Sequence, residues 1–252
     1  MLLTIDLGNT SIKMALWENA RQVCFSVNDS KQENYRGLIL NFLYRNNLKE
    51  EMIDDTIVSS VVPKATRILQ QDILSLTGKK AILINPRNDY GLKIDTPNVD
   101  EVGSDLLVMC AYAYHVFHDE LLVISLGTAT VVSHVTKDGV FKHCVIAPGF
   151  GKIAGTLWDN AAKLPEFEIN RTRSFLANTT IDAMNVGVYQ GFVGLLRYIL
   201  VGLRSELGTN PKVVACGGYG KLVIEDVREV EYYEPDMVTV GLNYIYNRYI
   251  RK

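Results

Sequence analysis

The 252-residue sequence lacks an excess of either charge: 26 lysines and arginines stand against 28 aspartates and glutamates, a net charge of −2. It therefore has no positive field to draw nucleic acid or anionic lipid, and its aromatic residues are not interleaved with basic ones as on RNA-binding surfaces. Cysteine is scarce. Cys24, Cys110, Cys144 and Cys216 are far apart, form no Cys-x-x-Cys and never meet the four histidines at zinc-ligand spacing. A disulfide framework and a structural zinc site are thus not expected, and the thiols read as reduced core residues. His115 and His118 are three apart on an expected helix, but no third ligand accompanies them and they read as surface residues. The start, Met-Leu-Leu-Thr-Ile-Asp, has neither the basic stretch nor the long apolar region of a signal peptide. The most apolar internal stretch, 192–203, is too short to span a bilayer and carries Arg197, so it reads as a buried helix. A cytoplasmic protein with no membrane or nucleic-acid partner is expected.

What is present is core-forming material, 48% of the residues being hydrophobic, enough to fold without disulfides or metals. β-forming runs at 2–7, 11–17 and 21–27, separated by Gly8-Asn9-Thr10 and Glu18-Asn19-Ala20, predict an opening three-stranded meander. Helical spacing follows at 35–46 and 64–77, with short strands at 57–62 and 81–84, a Pro-, Asn- and Asp-rich loop over 85–100, and a helix over 103–117. At Leu121 the opening pattern returns: Leu-Leu-Val-Ile-Ser-Leu-Gly-Thr-Ala-Thr resembles Leu-Leu-Thr-Ile-Asp-Leu-Gly-Asn-Thr, with Ser125 in the place of Asp6. Strands through Val135 and over 140–146, a long helix over 180–206, a strand at 213–215 and a last helix after Pro235 complete an α/β chain of two related halves, 1–117 and 118–252.

A strand that delivers an aspartate into a glycine turn presents a carboxylate beside free backbone N–H groups, which can hold magnesium and phosphate respectively. Asp6-Leu7-Gly8-Asn9-Thr10 has this form, although Gly-Asn is also an ordinary hairpin turn. The second turn, Gly127-Thr128-Ala129-Thr130, makes a pair of hydroxyl-lined loops suited to a triphosphate. Gly217-Gly218 would let backbone approach adenine or ribose, or is a plain strand-to-helix turn. Asp105, in Gly103-Ser104-Asp105, is either a base for an attacking hydroxyl or a carboxylate favoured by a helix dipole.

With both loops placed, the pattern resembles the acetate kinase, sugar kinase, Hsp70 and actin superfamily, and within it the type III pantothenate kinases. The similarity covers nearly the whole chain, through Asp6 to Thr10, Ser59 to Pro63, Val102 to Asp105, Gly127 to Thr130, Ile146 to Gly149, Ala162 to Pro165, Thr180 with Gly187 and Gly191, and Gly217-Gly218. The resemblance implies two ribonuclease-H-like, actin-like ATPase halves, each with a mixed five-stranded sheet and helices, with ATP in a cleft between them and pantothenate near the interface of a homodimer. It implies phosphorylation of pantothenate to 4'-phosphopantothenate, the first step of coenzyme A biosynthesis. Asp6 would position magnesium, with Gly8, Asn9 and Thr10 around the phosphates. Asp105 would act on the pantothenate hydroxyl, beside Gly103 and Ser104, and Thr180 would help hold pantothenate.

The chain departs from the family pattern at that site. Members carry Asp where this chain has Ser125, and that Asp helps bind potassium or ammonium; a serine oxygen is a weaker ligand for a hard cation. Members carry Arg after the catalytic Asp, where this chain has Leu106, and Gly-Gly where it has His143-Cys144. Beside the kinase, two other readings therefore stand: a non-catalytic paralogue that binds ligand as a regulator or partner subunit, and a kinase of the same fold for another small substrate.

Overall fold

The computed structural model describes residues 1–32, 34–159 and 165–251. Along the chain run β1 (Leu2–Leu7), β2 (Ser11–Glu18), β3 (Arg21–Asp29), α1 (Tyr35–Arg45), β4 (Asp55–Ser60), α2 (Pro63–Thr77), β5 (Ile82–Leu83), β6 (Lys93–Ile94) and α3 (Ser104–Phe117). They are followed by β7 (Leu121–Leu126), β8 (Ala129–Val135), β9 (Val140–Pro148), α4 (Phe150–Asp159), α5 (Thr180–Leu207), β10 (Lys212–Cys216), α6 (Gly220–Val223), β11 (Val230–Tyr233) and α7 (Met237–Ile245), which continues as a wider turn over Tyr246–Ile250. Residues 162–164 of the Ala162-to-Pro165 motif lie outside the described residues.

The chain divides into two compact units, Met1–His115 with Met237–Lys252, and Val116–Asp236. In the first the strand order is β3-β2-β1-β4-β5, and in the second β9-β8-β7-β10-β11 lie in the same sequence. Directions also match: β1 is antiparallel to β2 and parallel to β4, as β7 is to β8 and to β10. The first strand of each sheet is buried on both faces, and because successive side chains point to opposite faces, every second residue enters one core. Leu3, Ile5 and Leu7 join Ile39, Phe42 and Leu43 of α1 and Leu69 and Ile73 of α2 in one core, while Leu122, Ile124 and Leu126 join Phe150 and Ala154 of α4 and Val188, Phe192 and Leu196 of α5 in the other.

Local chemistry ends the helices where the sequence suggests. Pro63 occupies the first position of α2, where a missing N–H costs nothing, and Gly78 closes it in the left-handed conformation at φ 70°. Thr179 caps α5 through the N–H of Asp182 at 3.1 Å, and Gly208 ends it at φ 67°. By length and composition α5 could cross a membrane; its apolar residues Val188, Phe192, Leu196 and Leu200 instead pack into the core with the second sheet.

Three expectations change. The last helix does not belong with the second half, because α7 packs on β1, β2 and β4 of the first unit, where the first sheet offers an apolar face. The fourth strand lies two residues earlier than expected, since parallel pairing with β1 sets Leu2 against Asp55. His115 and His118 do not form a pair on one helix: α3 ends at Phe117, His118 is left-handed at φ 46°, and His115 stacks on Tyr244 with ring centres 4.0 Å apart.

Candidate active site

In the first unit, the carboxyl ends of β1 and β4 meet the start of α3. Asp6, half-buried, is in register with Ser59 on the neighbouring strand. The Ser59 hydroxyl lies 2.9 Å from that of Ser104, which is 8% exposed. Ser104 Oγ also accepts the N–H of Ser60 at 3.0 Å and lies 3.1 Å from the Ser60 carbonyl. The hydroxyl expected to touch substrate is therefore turned inward, locking the helix to the sheet. Asp105 follows directly, so the lock brings it to the same sheet edge as Asp6, since neighbouring strands lie about 4.8 Å apart.

Burial pushes the Asp105 carboxyl above its ordinary value, and the N–H of Leu106, donating to Oδ1 at 2.9 Å, draws it partly back. Leu106 is itself half-buried and brings no charge. A Cβ on Gly103 would lie 2.5 Å from Asp105 Oδ1, so a side chain there would make the carboxylate turn from its present position. A carboxyl raised by burial, even with the N–H groups of Leu106 and of Asp105 itself drawing it partly back, is suited to take a proton from a hydroxyl.

The turn after Asp6 is held from below. Gly8 N–H donates to the Ser11 carbonyl at 2.9 Å, while Ser30 donates its hydroxyl to the Asn9 carbonyl at 2.9 Å and its N–H to the Thr10 carbonyl at 3.1 Å. These bonds occupy three acceptor oxygens that would otherwise repel an anion, while Asn9 and Thr10 stay exposed at the tip. Ser30 carried no signal in the sequence.

In the second unit three segments converge by backbone approach. Gly127 N–H donates to the Ala129 carbonyl at 3.1 Å, closing the turn after Ser125. A Cβ on Gly149, just after β9, would lie 2.3 Å from the Gly127 carbonyl and 2.4 Å from that of Thr128. A Cβ on Gly217, after β10 with φ +104°, would lie 2.4 Å from the Leu126 carbonyl. The glycines at 127, 149 and 217 thus build one niche, with Gly218 exposed beside it. Tyr219 forms part of its wall, packing edge-on to Phe150 with ring centres 5.5 Å apart. Thr128 and Ala129 are exposed there, whereas Thr130 is 1% exposed, pairs opposite Leu126 on the core side, and its hydroxyl has no partner among the described residues. Thr130 therefore lies on the core side of the turn. Thr180 is exposed at the first turn of α5. Ser125 is half-buried and in register with Val131 and Cys216, so its hydroxyl has no carboxylate beside it on either strand.

The sequence profile described as type III pantothenate kinase matches residues 2–201. The chain belongs to the type III pantothenate kinase family. A family member from Agathobacter rectalis is 33% identical over 257 residues, covering 100% of this chain and 99% of its own. One from Geobacter sulfurreducens is 31% identical, covering 98% and 99%. Among solved structures, a Sinorhizobium meliloti protein provisionally assigned as a 2-dehydro-3-deoxygalactonokinase superposes with a TM-score of 0.62 at 11% identity, covering 100% of this chain and 98% of that one. The activator of 2-hydroxyisocaproyl-CoA dehydratase from Clostridium difficile, solved with bound ADPNP, gives 0.55 at 12% identity, covering 98% and 94%. These structural likenesses establish the actin-like fold, and the duplicated strand order agrees with it.

Proposed function

We propose that this protein transfers a phosphoryl group from ATP to pantothenate, giving 4'-phosphopantothenate for coenzyme A synthesis in the cytoplasm. The observation that carries the reading is Asp105, a half-buried, raised carboxyl locked at the Asp6 edge of the first sheet by the Ser104–Ser59 contact. The full-length relatives supply the substrate.

The roles follow from the chemistry. Asp105 takes the proton from the pantothenate hydroxyl as its oxygen bonds to the γ-phosphorus and the bond to ADP breaks. The Gly8-to-Thr10 turn and the Gly127–Thr128 turn hold phosphates, Gly217-Gly218 borders the nucleoside, and Thr180 contacts pantothenate. Magnesium is commonly held by one or two carboxylates and substrate phosphates. Asp6 would hold it, and the ion would offset charge on the transferring group. The donors around Ser125 do not fit a hard monovalent cation, and we assign potassium and ammonium no part. A homodimer is supported by α5, whose exposed face repeats Gly187, Gly191, Gly194, Tyr198 and Val201 at alternating spacings of four and three. Added Cβ atoms at these glycines would meet nothing, so an identical helix can approach closely.

One observation favours a second reading, a ligand-binding regulator: Leu106 leaves Asp105 without a neighbouring cation in sequence. Mass spectrometry of a mixture of protein, ATP, magnesium and pantothenate separates the two. Phosphopantothenate accumulating with turnover supports the kinase. ATP-dependent thermal stabilisation without product supports the regulator.

A further inference from the structure

The first unit holds a cavity of about 630 Å³ at the sheet edge opposite Asp6 and Asp105. It is bounded by the amino-terminal ends of β1 and β4, the turn between β2 and β3, and the end of α7 with the wider turn that follows. Leu2 pairs with Asp55 at this edge as Asp6 pairs with Ser59 at the other, so at about 3.3 Å per residue the two edges are roughly 13 Å apart. The cavity is separate from every residue given a part in phosphoryl transfer.

Its wall carries polar atoms that the protein does not satisfy. Asn247 Nδ2 donates to the backbone carbonyl and to the side-chain Oδ1 of Asn243, both at 2.9 Å. A backbone carbonyl only accepts, so it fixes which end of the Asn247 carboxamide is nitrogen, and Asn247 in turn fixes Asn243. Asn243 Oδ1 is thereby occupied, and Nδ2 is the group that this side chain, only 7% exposed, can offer to the cavity it lines. A donor lining a cavity can meet an acceptor from outside the chain. Arg251 touches Asn19 Oδ1 through Nη1 at 3.4 Å and keeps its remaining guanidinium N–H groups. Asp55 accepts the Tyr246 hydroxyl on Oδ2 and keeps Oδ1, whereas Asp54 is already paired with the amino group of Met1.

The wall therefore offers two donors, Asn243 and Arg251, and one carboxylate oxygen of Asp55. An anion would be repelled by Asp55, and a cation would find no acceptor in Arg251 or in Asn243 Nδ2. A molecule bearing both charges satisfies all three groups, and the volume is ample for one. We propose that this cavity is a second binding site, for a small zwitterion of the amino-acid class, with its carboxylate held by Arg251 and Asn243 and its ammonium by Asp55.

Calorimetric titration of the full chain with the common α-amino acids and short straight-chain ω-amino acids tests this, each run beside the amine and the acid of equal length. At least one amino acid binds, with and without saturating ATP, and its single-charge counterparts bind about tenfold more weakly or worse, as the loss of one charge-assisted bond dictates. Asp55→Asn and Arg251→Gln each weaken it about tenfold while unfolding as cooperatively as the wild type. The proposal is overturned if no amino acid binds the wild type, if the amine or acid alone binds equally well, if ATP displaces the ligand, or if both folded variants bind unchanged.

Discussion

Asp6 and Ser125 occupy the same station in two sheets of matching strand order: each is the fifth residue of a six-residue first strand, half-buried, and followed by a buried leucine and a glycine turn. The duplication gives the two positions the same backbone and different chemistry. One end of the pair carries a carboxylate, and the other a neutral hydroxyl between Val131 and Cys216.

That asymmetry predicts an enzyme indifferent to the monovalent cation. Phosphopantothenate formation proceeds at equal rates in potassium, ammonium and sodium salts of matched ionic strength. Ser125→Asp restores a hard ligand and makes the rate rise with potassium. A wild-type rate that drops sharply when potassium is replaced by sodium would refute the assignment.

Asp105 makes a prediction about stability. Its folded value is raised by burial above the unfolded one, so its contribution is present below the unfolded value and is lost as pH rises through the folded value. Asp105→Asn should therefore melt higher than the wild type at neutral pH, with the gap closing in acid. A lower melting temperature for the variant at neutral pH would show that the carboxylate is stabilised where it sits.

The glycine niche of the second unit predicts a joint loss of stability and nucleotide binding. Gly149→Ala forces a Cβ against the Gly127 and Thr128 carbonyls, which should cost about 1–3 kcal/mol. Urea unfolding measures that cost, and ATP-induced thermal stabilisation should shrink in the same variant. Unchanged values on both would mean that the loop has room to move.

Asp226 predicts an acid limb of the stability curve. Arg171 binds it through Nε at 2.7 Å and Nη2 at 2.8 Å, and Tyr189 donates its hydroxyl to the same carboxylate. These contacts hold the Asp226 carboxyl far below the usual range, while burial, followed by Asp226, pushes Tyr189 up to about 12. A depressed carboxyl stabilises above its unfolded value and loses that contribution as pH falls towards the folded one. Asp226→Asn should lower the melting temperature at neutral pH and nearly match the wild type in strong acid; parallel curves throughout would contradict the pairing.

The α5 seam predicts the assembly state. Gly191→Arg places a long cation on the flat face and should turn a dimer into a monomer by light scattering, with the helix content unchanged. A monomeric wild type would remove the seam from consideration.

Much of this fold is readable in the residues. Compact β-forming runs at β1, β2, β7 and β8 and the recurrence of the opening pattern show two related sheets, each first strand running into a glycine turn. What escaped depends on contacts distant in the chain. Ser30 lies 21 positions from the Asn9 carbonyl it supports, and Ser104 lies 45 from Ser59, so neither role has a local pattern. Thr130 looked like a loop hydroxyl but pairs with Leu126 and faces the core. Val230–Tyr233 is too short to show alternation and was missed as a strand. The placement of α7 with the first unit was hidden because amphipathic spacing shows that a face is covered, not by which sheet.

The most direct test of the central claim compares wild type and Asp105→Asn for phosphopantothenate formation from ATP and pantothenate, with ATP affinity measured on both. The account predicts product from the wild type, a fall of about 10²–10⁴-fold in turnover for the variant, the range expected on losing a general base, and nearly equal ATP affinity. Absence of product from ATP-bound wild type, or equal turnover by the two proteins, would contradict it.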